Sequence, residues 1–380
     1  MEKKRVYLPG LHGLRFVAAA LVIITHVELF KARWGLPNFY SYKLISDFGT
    51  IGVNFFFVLS GFLITYLLFK EKEKHGKVYI GSFYLRRLLR IWPLYYFVLI
   101  LVFFVLPMIE YPEVPGLNIE SDFYDRLILF SFLLPNVSKA FYDFVPYGGI
   151  MWSVGVEEQF YLIWPLILSS SKKYFKNFVL LFVILVAIKI IFTLPYLKDI
   201  EYIEGVKNFL AMLRIEIMII GALGAWILNF KKKLLRKYLL NNFIQLIAYS
   251  GIGLVIFFLP PILDDGKHII LGFLFILIIL NVSSNRNSFF KFENRLFRFL
   301  GNISYGMYMY HMIVVGGIIN FVQPLVQSFN CNILTTNVVI YLLVFGLTIF
   351  ISYLSFIYLE KPFLKIKDRF TRISSGIKIQ

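Results

Sequence analysis

The sequence contains a single cysteine, Cys331, among 380 residues. One thiol excludes an intrachain disulfide and a metal site built from several thiolates, although it does not decide the redox compartment. Glycine-rich phosphate loops, paired histidines at metal-ligand spacing and a serine nucleophile elbow are also missing from the sequence. The chain therefore lacks the common signatures of nucleotide binding, zinc chemistry and serine hydrolysis, and we expect no metal.

Charge is also scarce, and apolar residues take its place. Charged residues make up 16% of the chain, hydrophobic residues 59% and aromatic residues 19%, and the mean hydropathy is +0.73. A soluble domain is typically about 45–50% apolar, and a water-soluble core could not bury the excess. The composition predicts an integral membrane protein with the lipid bilayer as its main partner.

Apolar runs of near-membrane length recur from end to end and predict an all-α bundle of about ten transmembrane helices. The run 268–281 is short, which fits a tilted helix, a re-entrant segment or a helix whose ends lie elsewhere. No small-residue cleavage site follows the first run, so we expect an uncleaved first span. We predict a transmembrane domain over 1–362 and a basic cytoplasmic tail over 363–380. The predicted spans are 14–30, 48–69, 91–108, 150–169, 177–194, 209–229, 243–259, 268–281, 299–322 and 335–358.

The positive charges predict one orientation in the membrane. The formal net charge is +17, but the cations lie between the apolar runs rather than on one soluble face, so no nucleic-acid partner is expected. With the N-terminus inside, 28 of the 39 Lys and Arg residues fall in cytoplasmic segments and eight in outer loops. The positive-inside rule therefore favours a cytoplasmic N-terminus and a multi-pass protein of the cytoplasmic (inner) cell membrane.

A few ionisable residues lie within the predicted spans, where each is costly and hence a functional candidate. On the predicted topology Arg15 lies at the cytoplasmic end, whereas most of the others lie toward the outer ends and form a chamber open to the outside. Lys189 and Arg214 could instead extend to the interface. The aromatic Trp152 is a possible further member of this outer chamber. The ionisable set is Arg15, His26, Glu28, Glu157, Glu158, Lys189, Arg214, Glu216 and His311.

Arg15 and His26 are spaced to share one face of the first helix. Eleven residues separate them, which is about 16 Å along the axis. An acyl-coenzyme A has phosphates at one end and a thioester at the end of a thin arm, and this polar stripe suits that shape. Arg86, Arg87 and Arg90 add cations for phosphate at the cytoplasmic side, and His26 could take a proton from a hydroxyl.

Each of these features has a simpler interpretation. His311, near mid-bilayer, is interpreted as a hydrogen-bonded structural residue, and the Arg86 to Arg90 cluster alone would be an ordinary positive-inside cluster. Polar residues in spans also occur in glycan or lipid transporters, although the inverted repeats common in transporters are not visible. A haem-binding electron carrier would need two facing histidines, whereas His26 and His311 are predicted at different depths.

Several motifs in order along the chain resemble acyltransferase family 3, bacterial membrane acyltransferases that typically O-acetylate cell-surface glycans. The motifs include the ten residues between Arg15 and His26, and they extend over almost the whole chain. They are Gly13-Leu14-Arg15, Gly52-Val53-Asn54-Phe55-Phe56-Phe57-Val58-Leu59-Ser60-Gly61-Phe62-Leu63-Ile64, Phe83-Tyr84-Leu85-Arg86-Arg87-Leu88-Leu89-Arg90-Ile91-Trp92-Pro93, Trp152-Ser153-Val154-Gly155-Val156-Glu157-Glu158-Gln159-Phe160-Tyr161, Ile303-Ser304-Tyr305-Gly306-Met307-Tyr308-Met309-Tyr310-His311 and Glu360-Lys361-Pro362.

This resemblance implies a membrane O-acyltransferase that moves an acyl group, expected to be acetyl, from cytoplasmic acyl-CoA to a hydroxyl of a cell-surface or lipid-linked saccharide. It implies that His26 is catalytic, as general base or as an acylated intermediate, and that Arg15 supports the donor or the active-site charge. Arg87 and Arg90 would hold coenzyme A phosphates.

Other positions refine the expected site. We expect Glu157 or Glu158 to orient His26 or balance its charge. Two positions depart from the family pattern: His12 replaces a common acidic residue, and Ile150 and Met151 stand where a histidine commonly precedes the tryptophan. Because the chain ends soon after its last predicted span, we expect transfer to the final acceptor to occur in the membrane domain itself.

Overall fold

A computed structural model describes residues 5–117, 122–192, 194, 202–259, 264–328, 332–371 and 373–375. Apart from a two-residue parallel pairing between Arg5–Val6 and Ser374–Ser375, the regular structure in these ranges is helical, which confirms the predicted all-α fold. The helices are α1 (Leu11–Arg33), α2 (Lys43–His75), α3 (Ile80–Met108), α4 (Phe123–Ser131), α5 (Pro135–Phe141), α6 (Trp152–Ser170), α7 (Tyr174–Phe192), α8 (Ile203–Met212), α9 (Ile215–Phe230), α10 (Lys232–Leu239), α11 (Asn242–Phe258), α12 (Asp264–Ser284), α13 (Arg295–Asn302), α14 (Ser304–Val326) and α15 (Ile333–Arg369).

Within the described residues, eight helices are long and apolar enough to cross a membrane, and α10 with α11, bent by 72°, makes a ninth if the pair is one span. The predicted fourth span is present as α6, but it is not among the eight, because Glu157, Glu158 and Gln159 lower its hydropathy. The short predicted run 268–281 belongs to α12, a helix of 21 residues. The helix therefore extends beyond both predicted ends of the run.

Close helix packing through glycine holds the centre of the bundle together. A side chain at Gly61 of α2 would lie 1.9 Å from the Met218 carbonyl oxygen of α9, and one at Gly221 would lie 2.1 Å from that of Val58. Small residues allow membrane helices to approach to backbone contact, where dispersion and weak hydrogen bonds stabilise the pair. The glycines therefore fix α2 against α9 at the centre of the bundle.

The packing of α1 on α2 gives the bundle two distinguishable ends. The helices are antiparallel, since Gly49 lies against Thr25 and Gly52 lies against the Ala18 backbone. We call the end of the bundle that holds the N-terminus of α1 the Arg15 end, and the opposite end the His26 end.

Helix α6 runs in the same direction as α2. The Trp164 indole donates to Thr65 at 2.7 Å, and the Lys72 ammonium donates to the Leu168 carbonyl at 2.8 Å, close to the C-terminus of each helix. Gly76 ends α2 with φ 73°, and its N–H donates to the Lys72 carbonyl, as a left-handed glycine cap commonly does. The C-termini of α2 and α6 therefore both lie at the Arg15 end.

The chain termini also meet at the Arg15 end, through the pairing of Arg5 with Ser374 and of Val6 with Ser375. The last helix continues without interruption to Arg369. The predicted division at residue 362 thus falls inside a helix, and the division into a membrane domain and a tail stays a prediction.

Candidate active site

Two histidines are in direct contact near the His26 end. Nδ1 of His26, on α1, lies 3.0 Å from Nε2 of His311, on α14, and the two ring centroids are 4.9 Å apart. The predicted difference in depth between the two histidines is therefore wrong. Helix positions read from hydropathy alone do not fix how far one helix is displaced along another.

The surrounding carbonyls determine which ring nitrogens carry protons. His311 Nδ1 lies 2.6 Å from the Tyr308 carbonyl oxygen, an obligate acceptor, so Nδ1 donates and Nε2 of the neutral ring accepts. His26 Nδ1 lies between two acceptors, the Val22 carbonyl at 2.9 Å and His311 Nε2 at 3.0 Å. His26 Nδ1 therefore carries the proton, which leaves the lone pair of its ring on Nε2.

The two rings differ in accessibility. His311 is completely buried, whereas His26 is partly exposed and its Nε2 makes no hydrogen bond with any described residue. His26 can therefore present an unprotonated nitrogen to a substrate, while His311 supports it from behind. The same direct contact leaves no room for a haem between the two rings, so the haem interpretation does not fit these residues.

A lysine that sequence reasoning missed lies close enough to His26 for its charge to act on the ring. The Lys139 ammonium, on the short helix α5, lies 4.9 Å from the ring centroid of Trp152 and 5.3 Å from that of Phe144. Its charge acts on His26 and on Arg214. Burial, with a smaller contribution from Arg214, lowers the pKa of Lys139 to about 8. Trp152 thus contacts Lys139, and its membership of an outer chamber stays a prediction.

Arg214 belongs to a polar network rather than extending to the interface. Its Nη1 donates to Asn54 Oδ1 at 2.7 Å and lies 3.2 Å from His268 Nδ1, and the Asn54 amide lies 2.9 Å from the same histidine nitrogen. Asn54 lies within the Gly52 to Ile64 motif, but its contact with His268 joins helices distant in sequence, and no local pattern indicated it.

Glu216, the other predicted chamber residue, has a structural role. It pairs with Lys189 at 2.6 Å, and both side chains are largely buried. Glu28 is likewise held, by Lys31 at 2.7 Å and by the Tyr341 hydroxyl at 2.8 Å. Both carboxylates have cationic partners of their own, so neither is available to His26.

The acidic pair does not lie beside His26. Glu157 accepts from the Ser60 hydroxyl at 2.7 Å and from the Tyr161 hydroxyl at 2.8 Å, and Glu158 accepts from the Trp92 indole at 3.1 Å. Gly49 of α2 faces Thr25, the residue before His26. Ser60 lies eleven residues further along α2, about 16 Å closer to the Arg15 end. The expectation that either glutamate orients His26 is therefore not supported by the contacts.

The two glutamates instead belong to a cluster of cations at the Arg15 end. The charges of Arg15, Arg87 and Arg90 act on one another, and Glu157 interacts with Arg15 and Arg87. Arg87 lies 5.5 Å from the Tyr161 ring centroid, and its buried Nε has no hydrogen-bond partner among the described residues. We call Arg15, Arg87 and Arg90 the arginine cluster.

Arg86 is engaged differently from its neighbour. Its guanidinium pairs with the buried Glu71 at 2.9 Å and donates to the Phe370 carbonyl at 3.1 Å. Arg86 therefore fastens α3 to α2 and to the end of α15. Of the four predicted donor-binding arginines, three form the cluster and the fourth has a structural partner.

Two residues that sequence reasoning did not assign to the site lie near the arginine cluster. Glu360, from the last of the resembling motifs, interacts electrostatically with Arg90, and Lys367 interacts with both Arg90 and Arg87. Both residues are far from α3 in the sequence, so the sequence did not indicate that they lie near Arg87 and Arg90. Among the described residues, no group of three or more His, Cys, Asp or Glu side chains is positioned to hold a metal ion.

The chain belongs to the family described as "Acyltransferase domain", whose model matches residues 8–357. It is similar to the peptidoglycan O-acetyltransferase OatA of Listeria monocytogenes, with 28% identity over 95% of this chain and 56% of the relative. It is also similar to the O-acetyltransferase OatA of Staphylococcus aureus strain NCTC 8325, with 27% identity over 94% of this chain and 57% of the relative.

The chain thus spans somewhat more than half the length of these curated relatives. No solved structure matches it. The predicted family resemblance is confirmed.

Proposed function

We propose that this protein is a membrane O-acyltransferase that moves an acetyl group from cytoplasmic acetyl-CoA to a hydroxyl of a cell-surface or lipid-linked saccharide. One observation carries the proposal: Arg15 of the arginine cluster and the partly exposed His26, whose Nε2 bonds to no described residue, lie about 16 Å apart along α1. The family and the names of its relatives support acyl transfer to a glycan.

The arginine cluster suits the phosphates of the donor. The three arginines of the cluster act on one another electrostatically, and Glu157, Glu158 and Glu360 lie near enough to offset part of their charge. Arginine presents several N–H donors in fixed geometry to phosphate oxygens, and no described residue offers an acceptor to the buried Nε of Arg87. Together with the predicted positive-inside orientation, this supports donor entry from the cytoplasmic side.

His26 can perform the transfer by either of two balanced routes. As a general base, Nε2 takes the proton of the acceptor hydroxyl while the hydroxyl oxygen bonds to the thioester carbon. The carbon–sulfur bond then breaks, and the proton passes from Nε2 to the leaving thiolate. As a nucleophile, Nε2 bonds to the thioester carbon, the carbon–sulfur bond breaks and the thiolate leaves. The acceptor oxygen then bonds to the acetyl carbon, the carbon–nitrogen bond to His26 breaks, and the hydroxyl proton passes to the thiolate. In both routes positive charge develops on the ring, and His311 Nε2 accepts the hydrogen bond from its Nδ1.

A purified-protein assay separates this function from transport of a glycan or lipid. The protein in liposomes is given acetyl-CoA labelled in the acetyl group and a saccharide acceptor. We expect free coenzyme A to be released and the acceptor to gain the label with the mass increment of an acetyl group. Movement of the saccharide across the bilayer without thioester cleavage would favour the transporter and reject the proposal.

The arginine cluster predicts how donor affinity changes on substitution. Replacing Arg87 by methionine removes a buried cation and its donors, so the KM for acetyl-CoA should rise about 10- to 100-fold, the cost of a charge-assisted contact. Acetyl-CoA and its 3′-dephospho form are compared as donors. We expect the wild type to prefer the intact donor more strongly than Arg87→Met does.

Arg86→Met is the matched control, because it removes the same side chain from the adjacent position. It leaves the buried Glu71 without its cation, so it should lower the amount of folded protein while the KM of the folded fraction stays near the wild-type value. If Arg86→Met raised the KM and Arg87→Met did not, the assignment of donor binding to the arginine cluster would be wrong.

A further inference from the structure

A basic cavity lies on the side of the bundle where α7 begins and α9 ends. Its volume is about 500 Å³, and the described residues that line it include four lysines and no carboxylate. The lysines are Lys172, Lys173, Lys176 and Lys231, and all four are exposed. We call this feature the lysine cavity.

The lysine cavity lies at the Arg15 end and has a fixed edge. Lys72, near the C-terminus of α2, lies 5.3 Å from the ring centroid of Tyr174 in the cavity wall. The same ammonium donates to three carbonyls of the turn between α6 and α7, those of Leu168, Ser169 and Ser171 at 2.8, 3.1 and 3.2 Å. The turn that carries the first cavity lysines is therefore held in place on α2.

Aromatic rings form the rest of the cavity wall. The rings of Phe175 and Trp226 lie 4.9 Å apart between centroids, and those of Tyr174 and Phe230 lie 5.9 Å apart. The Lys231 ammonium lies 5.5 Å from the Trp226 ring centroid. Tryptophan and tyrosine are typical of the membrane–water interface. A positive-inside cluster requires only lysines, whereas here they surround a cavity with aromatic walls.

Helix α7 presents an apolar surface that continues from the cavity toward the middle of the bilayer. Phe178 is the one buried residue of this helix, and the side chains of Phe175, Val179 and Val183 are 51%, 37% and 53% exposed. Residues at this spacing share one face of a helix. A lipid with its headgroup in the cavity would therefore have an apolar surface for its acyl chains.

The segment that follows the cavity adds further cations. Helix α10 is bent by 72° from α11, so it lies close to the membrane plane if α11 crosses the bilayer. Basic segments in that position attract anionic lipids. Glu73 of α2 accepts from the Asn229 amide and pairs with Lys70 at 2.8 Å, so this carboxylate has partners of its own. The cations of α10 are Lys232, Lys233, Arg236 and Lys237.

Helix α2 separates the lysine cavity from α3, which carries two members of the arginine cluster. The Phe69 ring of α2 lies 5.1 Å from the ring of Phe230 in the cavity wall. Glu71 instead pairs with Arg86 of α3 at 2.9 Å. Two residues correspond to about 200° around a helix, so these contacts are on opposite faces of α2. A phosphate in the cavity is therefore distinct from a phosphate at the arginine cluster.

We propose that the lysine cavity binds the phosphate of an anionic phospholipid headgroup, with the acyl chains of that lipid on the exposed face of α7. Each lysine ammonium offers three donors to phosphate oxygens, and basic pockets between membrane helices suit such headgroups. The predicted orientation of the chain places this lipid in the cytoplasmic leaflet.

Lipid binding to the full-length protein in a neutral detergent tests the proposal. Phosphatidylglycerol is the anionic probe, and phosphatidylcholine with the same acyl chains is the matched zwitterionic probe. Native mass spectrometry over a lipid titration gives the fraction of protein that carries each lipid. We expect phosphatidylglycerol to bind about 10- to 100-fold more tightly, because each lysine near an anionic headgroup strengthens binding several-fold.

Replacing three cavity lysines together should reduce this ratio of affinities toward one. The variant combines Lys172→Gln, Lys173→Gln and Lys176→Gln. Arginine at the same three positions keeps the charge and should keep most of the ratio. An unchanged ratio in the glutamine variant would overturn the proposal.

The matched control removes the same amount of charge from the same end of the bundle. It combines Lys74→Gln, Lys77→Gln and Lys365→Gln, at exposed lysines that do not line the cavity. We expect the control to keep the wild-type ratio of affinities. An equal loss in the control and in the cavity variant would show that general positive charge, rather than the cavity, attracts the lipid.

Competition distinguishes a lipid from a soluble phosphate. Glycerol 1-phosphate has a phosphate but no acyl chains, so we expect it to displace bound phosphatidylglycerol only at far higher concentration than a short-chain phosphatidylglycerol does. Equal displacement by glycerol 1-phosphate, or displacement by acetyl-CoA at its KM, would overturn the lipid assignment. Lipid binding is measured without any acetyl transfer, so its failure would leave the proposed function unaffected.

Discussion

Replacing His26 by alanine is expected to abolish acetyl transfer to the saccharide almost completely. The substitution removes a ring nitrogen that is accessible and unprotonated, the only one at the site in the part of the chain that the structure describes. A positioned general base contributes about 100- to 10,000-fold to a rate. The loss should be in kcat, because the arginine cluster that binds the donor is untouched. The measurement is initial-rate kinetics with labelled acetyl-CoA in membranes containing equal amounts of each variant.

Thr25→Val is the control for this experiment. Thr25 precedes His26 on α1, and its hydroxyl donates to the Ile45 carbonyl at 2.7 Å, so the variant disturbs the same helix turn without changing the imidazole. We expect it to keep at least a substantial part of the activity. Full activity of His26→Ala at normal protein level would show that another group performs the transfer.

Replacing His311 by leucine is expected to lower kcat about 10- to 100-fold, with the KM for acetyl-CoA unchanged. Leucine offers no acceptor to His26 Nδ1, so the developing imidazolium loses a hydrogen bond, and hydrogen bonds to charged groups are worth about 1.5–3 kcal/mol. His311 does not contact the arginine cluster among the described residues, which is why donor binding should not change. His311→Gln can supply a carbonyl oxygen and should recover part of kcat.

Tyr310→Phe separates this positioning role from a general loss of packing. Tyr310 is on the same helix as His311, and its hydroxyl donates to Ser355 Oγ at 2.9 Å, a contact that does not involve His311. If Tyr310→Phe and His311→Leu reduced activity by the same factor, or if glutamine rescued nothing, His311 would be only a structural residue.

The sequence was sufficient for the class of fold, and its prediction for Arg15 and His26 depends only on the geometry of one helix. Hydropathy predicted the bundle, and the 3.6-residue period placed Arg15 and His26 on one face of α1 at two different depths, since the geometry of a single helix is regular. The motif between Phe83 and Pro93 identified the arginines, although not that Arg86 is bound by Glu71.

What the sequence did not indicate depends on contacts between helices. Glu157 was expected near the outer end because it lies early in its span, yet α6 is positioned so that Glu157 meets Ser60. A small displacement of one helix along another changes the depth of a side chain in the membrane by several ångströms. Hydropathy does not report such displacements. The same reason explains why the contact between His26 and His311 was missed.

Lys139 and His268 were missed for a related reason. Lys139 lies in the long connection before α6, outside every predicted span. His268 is the first residue of the predicted span 268–281, and it was not included among the ionisable residues of the spans. Long-range packing brings both toward the His26 end, through Trp152 in one case and Asn54 in the other. Residues in connections that return into a bundle are not revealed by a search of the spans alone.

Transfer across the bilayer is the central claim, and the sidedness of the reaction tests it most directly. Acetyl-CoA is sealed inside liposomes that contain the protein, and the saccharide acceptor is supplied only on the outside. The predicted result is acetylated saccharide outside and free coenzyme A inside, with little product when donor and acceptor share one compartment. Product formed only when both are in the same compartment would contradict a reaction that receives its donor at the Arg15 end and its acceptor at the His26 end.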